Sequence, residues 1–289
     1  MKRFLLLLLI IIYGGFSVYT LYQQRRRPAV TILSASPIKS LRAAAEKALE
    51  GVEGTYGIAV KSLKTGEAYF LNEHQSLEAG SLYKLWVLAA VTQKIEAGEL
   101  KEDESLSQSV RHLNTAFGIS PEAAELTDGQ VTLTVAQALT QMITISHNYA
   151  TYLLVEKIGN PSIRDFLKAN DLTESFLEDS PRTTPADLAL FFEKLYKGQL
   201  SSPEGTRQML DLLKKQTLND KLSKYLPDKI DVAHKTGEID YLTHDAGLVF
   251  SGRGDYIIAV MSESDFPPGA EERIALISKS IYDYFQANP

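Results

Sequence analysis

Strand-forming runs gather near the two ends of this chain, and a long helical stretch separates them. Early on, "TYGIAVKSLKTGEAYFLNE" holds two β-rich runs around a short polar turn, which predicts a hairpin. Late in the chain, "KIDVAHKTGE", "HDAGLVFSG" and "DYIIAVMSE" read as three more strands, the last two joined across Arg253-Gly254. From Leu82 to about Lys224 the periodic segments have helical spacing, as in "LYKLWVLAAVTQKIEAG", "TVAQALTQMITI" and "ADLALFFEKLYKG". Strands so far apart in sequence can bury their apolar faces by joining one sheet. The expected fold is therefore α/β, of the two-lobed α+β kind. An antiparallel sheet of about five strands would be covered by the N- and C-terminal helices, with an all-helical lobe (about 80–225) inserted. The covering helices are "PIKSLRAAAEKALEGVEG", read as about four turns ending in Gly, and "GAEERIALISKSIYDYFQ". A ligand site is expected in the cleft between the lobes.

The first residues follow a different pattern. "MKRFLLLLLIIIYGGFSVYTLYQQRRRP" opens with Lys2 and Arg3 and is then strongly apolar from Phe4 to Ile12. So short a core suits a secretion signal, but Tyr13–Tyr22 can extend it, and tyrosines suit a membrane interface. Residues 1–22 are read as a signal-anchor or signal peptide, with a retained anchor favoured. Residues 23–37 are read as a polar linker and 38–289 as the catalytic domain. The chain is expected to be exported, facing the periplasm or cell exterior, and secreted if the segment is cleaved.

Composition removes several functions. A formal charge of −6 argues against nucleic acid as a partner. The chain has no cysteine, which excludes disulfides, thiolate metal sites and a cysteine nucleophile. Its five histidines are scattered without ligand spacing, so a dedicated metal site is not expected. The protein is expected to be a monomer.

Three short motifs carry chemistry. In "EAGSLYKLWVLAA", Ser81 starts a strongly apolar helix, and Lys84 lies one turn on along the same face. A hydroxyl beside an amine is a nucleophile–base pair if burial or a second cation lowers the amine's pKa. The bland alternative is a Ser N-cap followed by a solvated Lys. In "ITISHNYATYLL", Ser146 and Asn148 flank His147 just before a helix, where Ser or Asn would also serve as an ordinary N-cap. The third motif, "KTGE", occurs twice, at Lys64–Glu67 and Lys235–Glu238. The first copy sits in the early hairpin turn. The second follows the strand "IDVAH", where a lysine, a hydroxyl and a glycine can hold an anionic group against the backbone.

Each motif alone is weak, but S-x-x-K, S-x-N and K-T-G in that order, on a helix start, a helix start and a strand, are much more specific. With them, the chain from about Leu41 onward resembles the class A β-lactamase family and its penicillin-binding relatives. The resemblance implies that Ser81 is a nucleophile opening a β-lactam ring or attacking a peptide carbonyl, with Lys84 taking its proton. Ser146 would pass a proton to the leaving nitrogen, and Asn148 would hold Lys84 and the substrate amide. Lys235 and Thr236 would bind the substrate carboxylate, beside Gly237. The backbone N–H groups of Ser81 and Glu238 would form the oxyanion hole, where losing one donor costs about 3–4 kcal/mol of barrier. The implied partner is a β-lactam or a D-Ala-D-Ala-like substrate, and the resemblance implies that no metal or organic cofactor is needed.

This chain departs from the family pattern at three places. His147 stands where aspartate is usual and reads as a turn residue. Glu238 follows K-T-G where a small or hydroxyl residue is usual, and its carboxylate is expected to repel an anionic substrate or pair with Lys235. The loop "NDLTESFLEDSPRTTP" lacks the family's glutamate motif, and Glu174, Glu178 or Asp179 are its acidic alternatives. Without a positioned base, deacylation should slow by about 10²–10⁴-fold. The expected enzyme is thus a serine hydrolase that acylates readily and deacylates slowly. The alternatives are a D,D-peptidase acting on peptidoglycan stem peptides and a penicillin-binding receptor domain without turnover.

Overall fold

The computed structural model describes residues 40–178 and 180–288. The expected signal-anchor (1–22), the linker (23–37) and Asp179 lie outside the described residues. Among the described residues, no helix is long and apolar enough to cross a membrane.

Five strands form one antiparallel sheet in the order β2-β1-β9-β8-β7. They are β1 (Thr55–Ser62), β2 (Ala68–Leu71), β7 (Asp231–Ile239), β8 (Leu242–Phe250) and β9 (Tyr256–Glu263). Early and late segments meet where β1 pairs with β9, with Ala59 opposite Ala259. The two-residue period of these strands divides the core. Ile58, Val60, Ile258 and Val260 pack with Leu41, Ala45, Ile274 and Ile281 of the terminal helices α1 (Leu41–Leu49) and α8 (Pro267–Ala287). Ala59, Ile257, Ala259 and Met261 point the other way, into a core shared with the helical lobe. Because both faces are covered, β9 reads as a nearly unbroken apolar run instead of an alternating one.

The lobe between β2 and β7 is mostly helical but not all-helical, which corrects the expectation. Its helices are α2 (Lys84–Glu96), α3 (Val110–Ala116), α4 (Val135–Thr144), α5 (Asn148–Ala169), α6 (Pro185–Tyr196) and α7 (Pro203–Lys214). A two-stranded ribbon of β4 (Ser105–Ser109) and β5 (Gln130–Thr134) interrupts them. A two-residue pair, β3 (Leu77–Glu78) with β6 (Arg182–Thr183), ties the lobe down near the sheet. The ribbon's "SLSQS" and "QVTLT" are short and largely polar, so their periodicity was too brief to separate strand from helix. Helix α1 has 9 described residues, fewer than four turns; the Ser40 side chain accepts from Ala43 N at its start, and Gly51 turns the chain just past its end at φ 69°.

Candidate active site

The turn Gly80–Tyr83 is a 3₁₀ segment that leads into α2, whose residues Lys84–Thr92 are all buried. A helix apolar on every side must be enclosed, and this enclosure carries Lys84 to zero exposure. Strand β7 runs against the turn at backbone distance because two residues lack side chains. A Cβ on Gly80 (φ 49°) would lie 2.9 Å from Glu238 N, and one on Gly237 would lie 2.6 Å from Ala79 O. Ser81 and the Glu238 backbone are thereby held on adjoining walls of one cleft of about 350 Å³, which Asn148, Tyr152, Leu177 and Glu178 also line.

Between α4 and α5, Ser146 has a φ of 57°. A non-glycine residue in this region costs roughly 1–3 kcal/mol and persists only where its surroundings hold it there. Here they do. The Lys84 ammonium donates to Ser146 O at 2.6 Å, to Asn148 Oδ1 at 2.7 Å and to Ser146 Oγ at 3.2 Å. From the opposite side Lys235 Nζ donates to Ser146 Oγ at 3.0 Å and to Thr236 O at 3.0 Å. Helix α5 is capped by His147, whose Nδ1 accepts from Ala150 N at 3.1 Å, and not by Ser146 or Asn148. The imidazole thus does the capping, and both flanking side chains are left to face the lysines.

Burial pushes the Lys84 pKa well below the usual lysine value, and the nearby Lys235 cation pushes it further; Glu125 opposes both. Lys235 falls to about 7, chiefly through burial, with Asp245 and Glu238 opposing and Lys221 reinforcing the change. Two enclosed amines converging on one hydroxyl can accept, hold and return protons near neutral pH. Ser81 lies one turn ahead of Lys84, whose hydrogen bonds go to Ser146 and Asn148 in this state.

Of the predicted site residues, Ser81, Asn148 and Glu238 line this cleft. Lys84, Ser146 and Lys235 join Asn148 behind it through hydrogen bonds. Gly237 packs on the Ser81 turn at Ala79 and Leu82, and Thr236 lies buried between Lys235 and Gly237 on β7. The structure corrects the expectation for the Glu238 side chain, whose carboxylate pairs with the buried Lys221 and not with Lys235. Glu174 is committed elsewhere: it accepts from Thr184 Oγ1 at 2.7 Å and binds His74 Nδ1 at 2.9 Å. Burial raises its pKa, but these hydrogen bonds outweigh that and hold it low. Of the acidic loop residues considered, the exposed Glu178 lines the cleft. The other KTGE copy, Lys64–Glu67, falls in the β1–β2 turn with Gly66 at φ 78°.

Sequence reasoning missed two residues. Glu125, in the loop after α3, accepts from Asn148 Nδ2 at 2.6 Å. Lys221 enters from the loop between α7 and β7. Neither sits in a periodic segment or a motif, so no local signal marked them. Among the described residues, no group of three or more His, Asp or Glu could hold a metal ion.

Known proteins extend this picture. The model of the beta-lactamase enzyme family matches residues 39–285. The crystal structure of a β-lactamase from Sphaerobacter thermophilus superposes with a TM-score of 0.76 at 25% identity, covering 86% of this chain and 98% of that one. PBP-A superposes equally well, TM-score 0.76 at 23% identity over 87% of this chain and 98% of its own. A mutant of PBP-A was solved as an acyl-enzyme complex with penicillin G; it matches at TM-score 0.75 and 24% identity, over 88% of this chain and all (100%) of its own. No curated protein matches the chain.

Proposed function

The chain belongs to the beta-lactamase enzyme family, and from that premise we propose that it is a serine hydrolase forming an acyl-enzyme at Ser81 with β-lactams or related amides. The observation that carries this reading is the convergence of Lys84 and Lys235 on the Ser146 hydroxyl, beside the turn that bears Ser81. In the acylation step Ser81 Oγ attacks the carbonyl carbon while its proton passes to the neutral amine of Lys84. The N–H groups of Ser81 and Glu238 stabilise the resulting oxyanion. When the C–N bond breaks, Ser146 gives its proton to the leaving nitrogen and is reprotonated from the lysines. Asn148 holds Lys84 in place and offers its amide to the substrate, and Lys235 with Thr236 and Gly237 forms the wall for the group next to the scissile bond.

Deacylation needs a base that activates water. Glu174 is held by Thr184 and His74, and Glu178, though it lines the cleft, is solvent-exposed with no hydrogen bond that positions it among the described residues. This supports a slow second step and favours a penicillin-binding or peptidase task over rapid antibiotic hydrolysis. The apolar N-terminal segment supports a location outside the cytoplasm, at a membrane. Intact mass spectrometry of the protein mixed with benzylpenicillin tests the proposal. A long-lived adduct is expected, absent from Ser81→Ala. An adduct that vanishes within seconds as product accumulates would refute slow deacylation, and no adduct with any β-lactam would refute the acyl-serine reading.

A further inference from the structure

Lys221 is a fully enclosed cation that the proposed chemistry does not use. Its side chain is 2% exposed, against 54% for that of Glu238, its ion-pair partner. Glu271 Oε1 lies farther off, at 3.7 Å. The lysine cannot easily move. The next residue, Leu222, donates its N–H to Asp245 Oδ2 at 3.0 Å and accepts from Ser278 Oγ at 2.7 Å, and the Asp245 carboxylate is itself held by His234 Nδ1 at 2.9 Å. A buried ammonium without a partner is costly, so this position demands a carboxylate.

The nearer carboxylate that answers it belongs to the residue directly after K-T-G, whose backbone packs against Gly80 in the Ser81 turn. Glu238 and Lys221 both act electrostatically on Lys235. The positive potential at this end of the cleft is therefore already met by the protein's own anion. A substrate carboxylate arriving at Lys235 and Thr236 would meet a like charge and would compete with Glu238 for Lys221. A neutral ester or amide at the same place would meet neither obstacle.

We infer that Glu238, paired with Lys221, is a specificity-determining residue that selects acyl donors without a free carboxylate beside the scissile bond. The favoured class is an internal peptide amide, an ester or an esterified β-lactam, and chain ends bearing a free carboxylate are disfavoured. This rests on the acyl-serine reading and sharpens its substrate.

The test compares benzylpenicillin with its methyl ester, which share ring and side chain and differ in that one charge. Second-order formation of the Ser81 adduct is followed by intact mass for the full-length wild type, Glu238→Gln and Glu238→Gln/Lys221→Met. The ester-to-acid rate ratio should fall about tenfold or more in Glu238→Gln, because losing the carboxylate removes the repulsion and leaves Lys221 with only the more distant Glu271. Much of that change should be lost again in the double variant, where the Lys221 cation is gone as well and only Lys235 remains to attract the carboxylate. Thermal melts establish that each variant is folded, and Glu238→Ser, which also lacks the charge, gives a second reading of the ratio. A ratio unchanged in both single variants overturns the inference while adducts still form. Absence of any adduct, from either probe in any variant, instead overturns the acyl-serine reading and the inference with it.

Discussion

Replacing Lys235 by Met should change the acid limb of acylation in a direction and by an amount that the geometry sets. Lys84 and Lys235 reach the same Ser146 Oγ at 3.2 and 3.0 Å, so their ammonium nitrogens lie within about 6 Å of each other. At an effective dielectric of about 20, two such charges repel by about 3 kcal/mol, equivalent to about two pH units. A neighbouring cation disfavours protonation, so removing it raises the Lys84 pKa. The limb below which Lys84 is protonated and inactive as a base should then move up by about two pH units. The two amines titrate as a pair, and Lys235 itself sits at about 7, so the change is read below pH 7, where Lys235 carries its charge. The assay is the first-order rate of adduct formation at saturating benzylpenicillin from pH 4 to 9, which removes the effect of weakened binding. Lys235→Arg keeps the charge and should keep the limb in place. A limb that stays put in Lys235→Met, with only its height reduced, would refute the argument: burial alone would then set the Lys84 pKa.

Four further outcomes are expected. Gly237→Ala would drive a methyl to 2.6 Å from Ala79 O and 2.9 Å from Leu82 Cγ, separating β7 from the Ser81 turn; acylation should fall about 10²-fold, with a stability loss of about 1–3 kcal/mol in urea unfolding. Glu125→Gln should lower the pH of the acid limb, since that carboxylate favours the charged form of Lys84; an upward move would contradict its electrostatic role. His244 donates Nε2–H to Glu78 O at 2.9 Å and accepts from Ser262 N at Nδ1 at 3.1 Å, so the fold holds it neutral, and burial lowers its pKa to about 4. The unfolded chain then binds the extra proton first, and stability should fall as pH drops from about 6.5 to 4, by about 3 kcal/mol from this group, a slope that His244→Asn should reduce. Among the described residues the buried Tyr256 hydroxyl has no hydrogen-bond partner, so Tyr256→Phe should leave the melting temperature unchanged or raise it, by up to about 1 kcal/mol in stability.

Much of the architecture was legible because it rests on local regularities. The apolar run of β9 and the periodicity of α6 follow from spacing that any reader can count. The ribbon β4–β5 was not legible, since its residues are ordinary polar ones whose strand geometry comes from pairing with each other. Capping shows the same limit. Ser146, His147 and Asn148 all suit a helix start, and only the positions of two lysines explain why the imidazole caps while its neighbours face inward.

The sequence by itself determined the three motifs, their order and their placement on helix starts and a strand, because hydroxyl, amine and glycine spacing is written along the chain. Tertiary structure decided which groups from unrelated loops join them. Glu125 reaches Asn148, Lys221 claims the Glu238 carboxylate, and Glu174 is drawn off by Thr184 and His74. The physical reason is that a charge's partner and its pKa depend on burial and through-space distance, and neither is encoded in spacing along the chain.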